Sequence, residues 1–175
     1  MQREIQDVAI ECVKGDITRQ CDIDIIVNAA NKQLKGGGGV DGAINRAAGP
    51  RLVEASRALG PIEAGEAVIT PAFELPNDHV IHCAGPVYSQ RQPVAEQLAS
   101  CYRQAMALAD KAGARSIAFP AISCGIYGYP LGEAGRIAID TVTDAIERGT
   151  GLTHVRFVLF SDETLAAFGN ALSAR

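Results

Sequence analysis

No stretch of this 175-residue chain is long and apolar enough to span a membrane. Its longest charge-free run, Ser116 to Gly132, is broken by Pro120, Pro130 and three glycines, so it reads as a loop-bearing segment. No leader is expected, because Arg3, Glu4, Asp7, Glu11, Lys14 and Asp16 leave no apolar signal core near the start. Basic runs are lacking too, and 16 Lys and Arg against 20 Asp and Glu give a formal charge of −4. A nucleic-acid partner gripped through its phosphates is thereby disfavoured. The five cysteines, Cys12, Cys21, Cys83, Cys101 and Cys124, are odd in number and show no C-x-x-C spacing. That argues against a disulfide framework or a zinc site, and for a reducing, cytoplasmic setting. With no repeat, low-complexity tract or linker, residues 1–175 are expected to form one domain. A monomer is the working expectation.

What is present is an alternation of short apolar runs with stretches of helical period, in a chain that is 47% hydrophobic. Val8 to Val13 reads as a strand, as does the β-branched run Ile23 to Val27, which should end at the turn-prone Asn28. Val40, Ile44, Ala47 and Ala48 share one helix face, Gly49-Pro50 ends that helix, and a shorter one follows from about Leu52 to Leu59. Ala67 to Thr70 and Val80 to Cys83 are strands separated by a turn at Pro76-Asn77-Asp78. Pro93 suits the start of a long helix whose stripe is Val94, Leu98, Cys101, Ala105, Leu108 and Ala112, closed by Gly113. Ile117 to Phe119 is a brief strand stopped by Pro120. Pro130 then opens a helix with Leu131, Ala134, Ala138, Val142 and Ala145 inward. Val155 to Phe160 is a last strand, and Glu163 to Leu172 a closing helix. Strands apolar on both faces, interleaved with amphipathic helices, predict an α/β fold with a mixed, mostly parallel sheet covered on each side.

Ligands of such sheets bind beyond the carboxyl ends of the strands. Three segments of unusual composition fall there: Val27 to Asn31 running into Gly36–Gly42, Pro120 to Pro130, and Gly15 to Thr18. Four consecutive glycines, Gly36 to Gly39, carry an entropic cost that positive φ or close approach of a ligand would explain. They lead into a helix start, where free N–H groups favour an anion. The 120–130 segment repeats that design, so two loops of bare amides could clasp a pyrophosphate without Lys or Arg. No Gly-Lys-Ser/Thr follows either loop, which excludes a P-loop. The Gly37-x-Gly39-x-x-Gly42 spacing lies too far from its strand for a dinucleotide fingerprint.

Asn28-Ala29-Ala30-Asn31, the Gly-Gly-Gly-Val-Asp-Gly run at 37–42, Val80-Ile81-His82 with Gly85-Pro86, and Ala118 through Gly128 occur in this order. Together they resemble the macrodomain, and more narrowly its MacroD-type branch of ADP-ribosyl hydrolases and O-acetyl-ADP-ribose deacetylases. The similarity extends from about Gly15 to Asp162. It implies a three-layer α/β/α fold, a cleft for ADP-ribose and its O-acetyl or protein-linked conjugates, and neither cofactor nor metal. By the same resemblance, Asp16 would accept from the adenine amino group, Ile17 would offer its N–H nearby, and Phe160 would lie against the adenine ring. Asn31 would hold the ribose nearest the scissile bond. Gly39, Val40 and Asp41, with Ser123, Cys124, Gly125, Ile126 and Tyr127, would wrap the diphosphate and that ribose. Each assignment has a plainer counterpart: Asp16 capping a turn with Thr18, Phe160 in the core, Asp41 matching a helix dipole.

Asp41 and Asn31 are the expected catalytic residues, Asp41 orienting or deprotonating a water and Asn31 aligning the sugar hydroxyls. The helix dipole is expected to lower the Asp41 pKa and keep it ionised. Cys124 has no histidine partner in the sequence, so a nucleophilic role is disfavoured. It also departs from the Ser-Thr-Gly often seen in the branch, as Asn45 departs from a common His. His79 and His82, three apart on a strand, face opposite sides and make a poor metal pair, and His154 stands alone. Ser123 lacks a Gly-x-Ser-x-Gly elbow. The expected activities are deacetylation of O-acetyl-ADP-ribose and removal of mono-ADP-ribose from acidic side chains. A non-catalytic ADP-ribose reader is the alternative.

Overall fold

In the computed structural model, which describes residues 1–175, the apolar runs become seven strands. These are β1 (Gln2–Ile5), β2 (Val8–Lys14), β3 (Ile25–Ala30), β4 (Ala67–Pro71), β5 (His79–Ala84), β6 (Ser116–Phe119) and β7 (His154–Leu159). They form one sheet in the order β1-β2-β7-β6-β3-β5-β4. The five central strands run parallel, and β1 and β4 join the two edges antiparallel. The parallel strands therefore end at one edge, which gathers the segments after β2, β3, β5, β6 and β7.

Five helices cover the sheet: α1 (Gly39–Ala48), α2 (Pro50–Arg57), α3 (Val94–Lys111), α4 (Leu131–Arg148) and α5 (Asp162–Ser173). The pleat sorts each strand between two layers. Ile10, Ile25, Val27, Ile81, Ile117 and Phe157 face α3, α4 and α5 in a cluster of 30 buried residues. Ile26, Val80, Ala118 and Val158 face the other way, onto Ile44 and Ala48 of α1 and Leu52 of α2. The result is the expected three-layer α/β/α arrangement. At the centre of the larger layer, the Phe119 and Phe157 rings stack with centroids 5.5 Å apart and Tyr102 tilts against both. No helix is long and apolar enough to cross a membrane.

Four details differ from the sequence pattern. β1 has no apolar run of its own; it exists because Gln6 and Asp7, both at positive φ, fold it back onto β2. β3 does not turn at Asn28 but continues to Ala30, since Asn28 pairs with His82 of β5 in the ladder and its side chain finds polar partners. The inward stripe of α3 shifts from Leu108 and Ala112 to Met106 and Ala109, as a 3.6-residue period requires over eighteen residues, and Ala112 is an exposed cap. His154 is not alone: its Nε2 lies 2.6 Å from Glu11 Oε2 on the neighbouring strand β2.

Candidate functional site

A cavity of about 620 Å³ opens at the carboxyl edge of the sheet. Its walls are Ala29 to Asn31 at the end of β3, Gly37 to Asp41 leading into α1, Gly85 after β5, and Ala121 to Ser123 with Gly125 to Tyr127 after β6. The two glycine-bearing segments singled out in the sequence thus face each other across one space. Asp41 is its only charged wall residue.

Local geometry explains the composition. Gly36 and Gly39 sit at φ +81° and +56°, so the four-glycine run is needed partly for backbone conformation. Gly85 is needed for space instead: a Cβ there would lie 2.4 Å from Ser123 Oγ and 2.6 Å from Ile122 Cγ2. The segment after β5 can therefore press against the second loop. Ser123, itself at φ +66°, donates from Oγ to Pro86 O at 2.7 Å. Tyr88 N donates to Tyr127 O at 2.9 Å, and the buried Tyr102 hydroxyl accepts from Ile122 N at 3.2 Å. These ties hold the second loop while the N–H groups of Gly125, Ile126 and Tyr127 make no hydrogen bond within the chain. Across the cavity, the N–H groups of Gly39, Val40 and Asp41 are free for the usual reason at a helix start. Two walls thus present unpaired donors, which suits a diphosphate.

Asn31 holds the first loop, donating from Nδ2 to Gly36 O at 2.8 Å and accepting from Lys35 N at 3.3 Å. Asp41 stands at the third helical position and is only 6% exposed. Asn28 Nδ2 and Asn45 Nδ2 both donate to its Oδ1 at 2.8 Å. Oδ2 accepts no hydrogen bond from the protein and lies beside Gly37, whose Cβ position is 3.4 Å away. Burial raises the Asp41 pKa, and the two amide donors only partly offset it. The sequence-based expectation of a lowered value is therefore corrected. Desolvation of a carboxylate with no cation beside it outweighs the dipole of a ten-residue helix. A carboxylate with one oxygen tied to amides and the other turned to a cavity can orient a water and accept its proton.

The remaining expected residues divide. Asp16 and Phe160 lie side by side at the ends of β2 and β7, where Gly15 N donates to Leu159 O at 3.0 Å, but neither lines the cavity. Phe160 is 88% exposed, so the core alternative is wrong and its ring is open to a partner. Asp16 does cap a turn, accepting from Thr18 N and Oγ1; those hydrogen bonds lower its pKa. Ile17 is buried against the α1 side of the sheet. Cys124 does not line the cavity; its thiol contacts Ile122 O at 3.6 Å, and burial pushes its pKa up to about 12, unfit for a nucleophile at neutral pH. Asn28 and Gly85, which entered the sequence reading only as motif residues without a role, carry structural weight in the site. The signal for Gly85 was its place one residue beyond an apolar strand. No group of three His, Cys, Asp or Glu side chains is arranged to hold a metal.

Comparison with known proteins agrees with this geometry. The Macro domain family model matches residues 27–138. A macro domain-containing protein of Chlorobaculum tepidum is 51% identical over 96% of this chain and 98% of its own length. The O-acetyl-ADP-ribose deacetylase of Salmonella newport is 47% identical over 94% of each chain. The Oceanobacillus iheyensis macrodomain solved with ADP superposes with a TM-score of 0.95 at 40% identity, covering 99% of this chain and 95% of that one. A variant of that protein was solved with ADPR; it superposes at 0.93 with 40% identity, over 99% and 97% of the two chains. The chain belongs to the macro domain family.

Proposed function

We propose that the cavity binds ADP-ribose and that the protein hydrolyses ADP-ribose conjugates, by removing the acetyl group of O-acetyl-ADP-ribose or by releasing mono-ADP-ribose from acidic side chains. The observation that carries the reading is Asp41: a buried carboxylate whose Oδ2 is left open between two walls of unpaired backbone donors. A binding module needs the donors but has no use for that oxygen. The similarity to the Salmonella newport deacetylase, and to a macrodomain solved with ADP, supports the same conclusion.

In this reading the diphosphate sits between Gly39–Asp41 and Gly125–Tyr127, and the proximal ribose lies near Asn31, Ser123 and Tyr127. The adenine reaches the end of β7, with Phe160 against its ring, Asp16 accepting from the amino group and Ile17 N–H alongside. Asp41 Oδ2 holds a water. For the acetyl ester, that water attacks the acetyl carbonyl, its proton passes to Asp41, the acyl C–O bond breaks, and the leaving ribose oxygen takes that proton back to give acetic acid and ADP-ribose. For a protein ester, the water adds at the ribose C1″, the C1″–O bond to the side chain breaks, the carboxylate leaves and the water's proton passes to Asp41. The free state of all five cysteines suits a reducing, cytoplasmic setting.

The test is Asp41→Ala, assayed side by side on O-acetyl-ADP-ribose and on an ADP-ribosyl-glutamate protein. Turnover is expected to vanish while calorimetry still detects ADP-ribose. Undiminished turnover would remove Asp41 from the mechanism, and binding by the wild type without turnover would identify a reader.

A further inference from the structure

The Asp41 carboxylate is the end of a polar line that crosses three adjacent strands beneath α1. Asn28 of β3 and His82 of β5 are ladder partners, and Thr70 lies on the edge strand β4. Asn28 and His82 are 1% exposed and Thr70 is 3% exposed. Thr70 Oγ1 donates to Pro71 O at 3.0 Å and lies 3.0 Å from His82 Nε2. His82 Nδ1 lies 3.2 Å from Asn28 Nδ2, which also donates to Asp41 Oδ1 at 2.8 Å.

The direction of this line is set at its far end. The Thr70 hydroxyl has one proton, and it is aimed at Pro71 O, which can only accept. Thr70 Oγ1 is then left to accept, and His82 must place its hydrogen on Nε2. His82 Nδ1 thereby becomes an acceptor, and it takes one hydrogen of the Asn28 amide. The other hydrogen points at Asp41. The flipped amide would set its oxygen against both the Asp41 carboxylate and a bare imidazole nitrogen, two repulsive contacts. The orientation seen leaves Asn28 Oδ1 buried with no partner, a cost that only a strong preference at the other atom sustains. Burial depresses His82 to about 4, so it is neutral near pH 7 and its tautomer is chosen by its neighbours. No charged side chain other than Asp41 takes part: Asp41 is shifted by burial and by Asn28 and Asn45, and His82 by burial alone.

We propose that His82, locked by Thr70, is a positioning residue: by accepting from Asn28 it keeps the Asn28 amide aimed as a donor at Asp41 Oδ1, so that Oδ2 faces the cavity as the oxygen that works on water. His82 touches no substrate in this scheme. The inference rests on the hydrolase reading of the site and adds a specific requirement to it, an acceptor at the His82 Nδ1 position.

Two substitutions separate that requirement from mere packing. His82→Asn places an amide oxygen near the Nδ1 position and gives up the Thr70 contact. His82→Gln reaches the Nε2 position, keeps a partner for Thr70 and loses the acceptor. The full chain is assayed for kcat and KM on O-acetyl-ADP-ribose and for ADP-ribose affinity by calorimetry. His82→Gln should lower kcat by about 10- to 100-fold with affinity unchanged, while His82→Asn should stay within about threefold of wild type. Equal kcat values for the two variants, at either level, would overturn the proposal. If either variant fails to bind ADP-ribose, Thr70→Val decides: it frees the imidazole to move its hydrogen to Nδ1, so kcat should fall at constant affinity. A wild-type kcat in that variant would end the case. A wild type without turnover would remove this inference together with the reading it rests on. By contrast, turnover lost in Asp41→Ala but equal in the two His82 variants defeats this inference alone.

Discussion

Two polar clusters share the α1 side of the sheet, and their acids shift in opposite directions. Under α1, Asp41 meets only the amides of Asn28 and Asn45, and burial raises its pKa. On β2 and β7, Arg156 donates to Glu11 Oε1 at 2.9 Å and to both carboxylate oxygens of Asp22 at 2.9 and 2.8 Å. Burial raises Glu11 too, but hydrogen bonds from Arg156 and His154 more than reverse it, and Arg156 holds Asp22 down at about 2. The difference is the cation. A carboxylate with an arginine is neutralised and braces the fold. One left with amides alone keeps its basicity, at a cost in stability that makes sense only where the oxygen has a task.

That contrast can be tested from its strongest consequence downward. Asp41→Asn keeps both amide contacts at Oδ1 and removes the charge, so turnover should fall about 10²- to 10⁴-fold without a drop in melting temperature. A clear loss of stability instead would make Asp41 a structural acid like Glu11. Next comes His82. The unfolded chain takes up its proton near the ordinary value of 6.5, whereas the folded protein refuses it until about 4. Stability should therefore be full above pH 6.5 and fall by about 3 kcal/mol on acidification toward 4. Urea melts across that range should show the slope in the wild type and lose it in His82→Asn. Glu11 and Asp22, with lowered values, add their own loss only at lower pH, so the two clusters titrate in separate windows.

Arg156→Met should cost about 1–3 kcal/mol in urea denaturation, because Glu11 Oε1 loses its donor and only His154 remains on the carboxylate. It should leave kcat untouched, and a change in kcat would mean that the two clusters are coupled. The smallest effect is expected at Phe160. Removing an 88% exposed ring by Phe160→Ala should leave the melting temperature alone while weakening ADP-ribose binding by about 1 kcal/mol, measured by calorimetry. Unchanged affinity would mean that the base lies elsewhere.

Some of this was written in the order of residues. Short β-branched runs, glycines and helical stripes are local patterns, so they announced the parallel strands, both loops facing the cavity and the place of Asp41 at a helix start. Its neighbours were another matter. Asn28 read as a turn and His82 as half of an unconvincing pair, yet they meet across 54 residues of chain. His154 looked solitary, and its partner Glu11 is 143 residues away. The basicity of Asp41 went the same way. A helix dipole can be inferred from a few residues in sequence, but desolvation depends on what the other layers bring to cover a carboxylate. Periodicity along one chain dictated which faces are apolar. The state of each buried polar atom was decided only by long-range packing, because hydrogen-bond direction and dielectric are properties of neighbours in space.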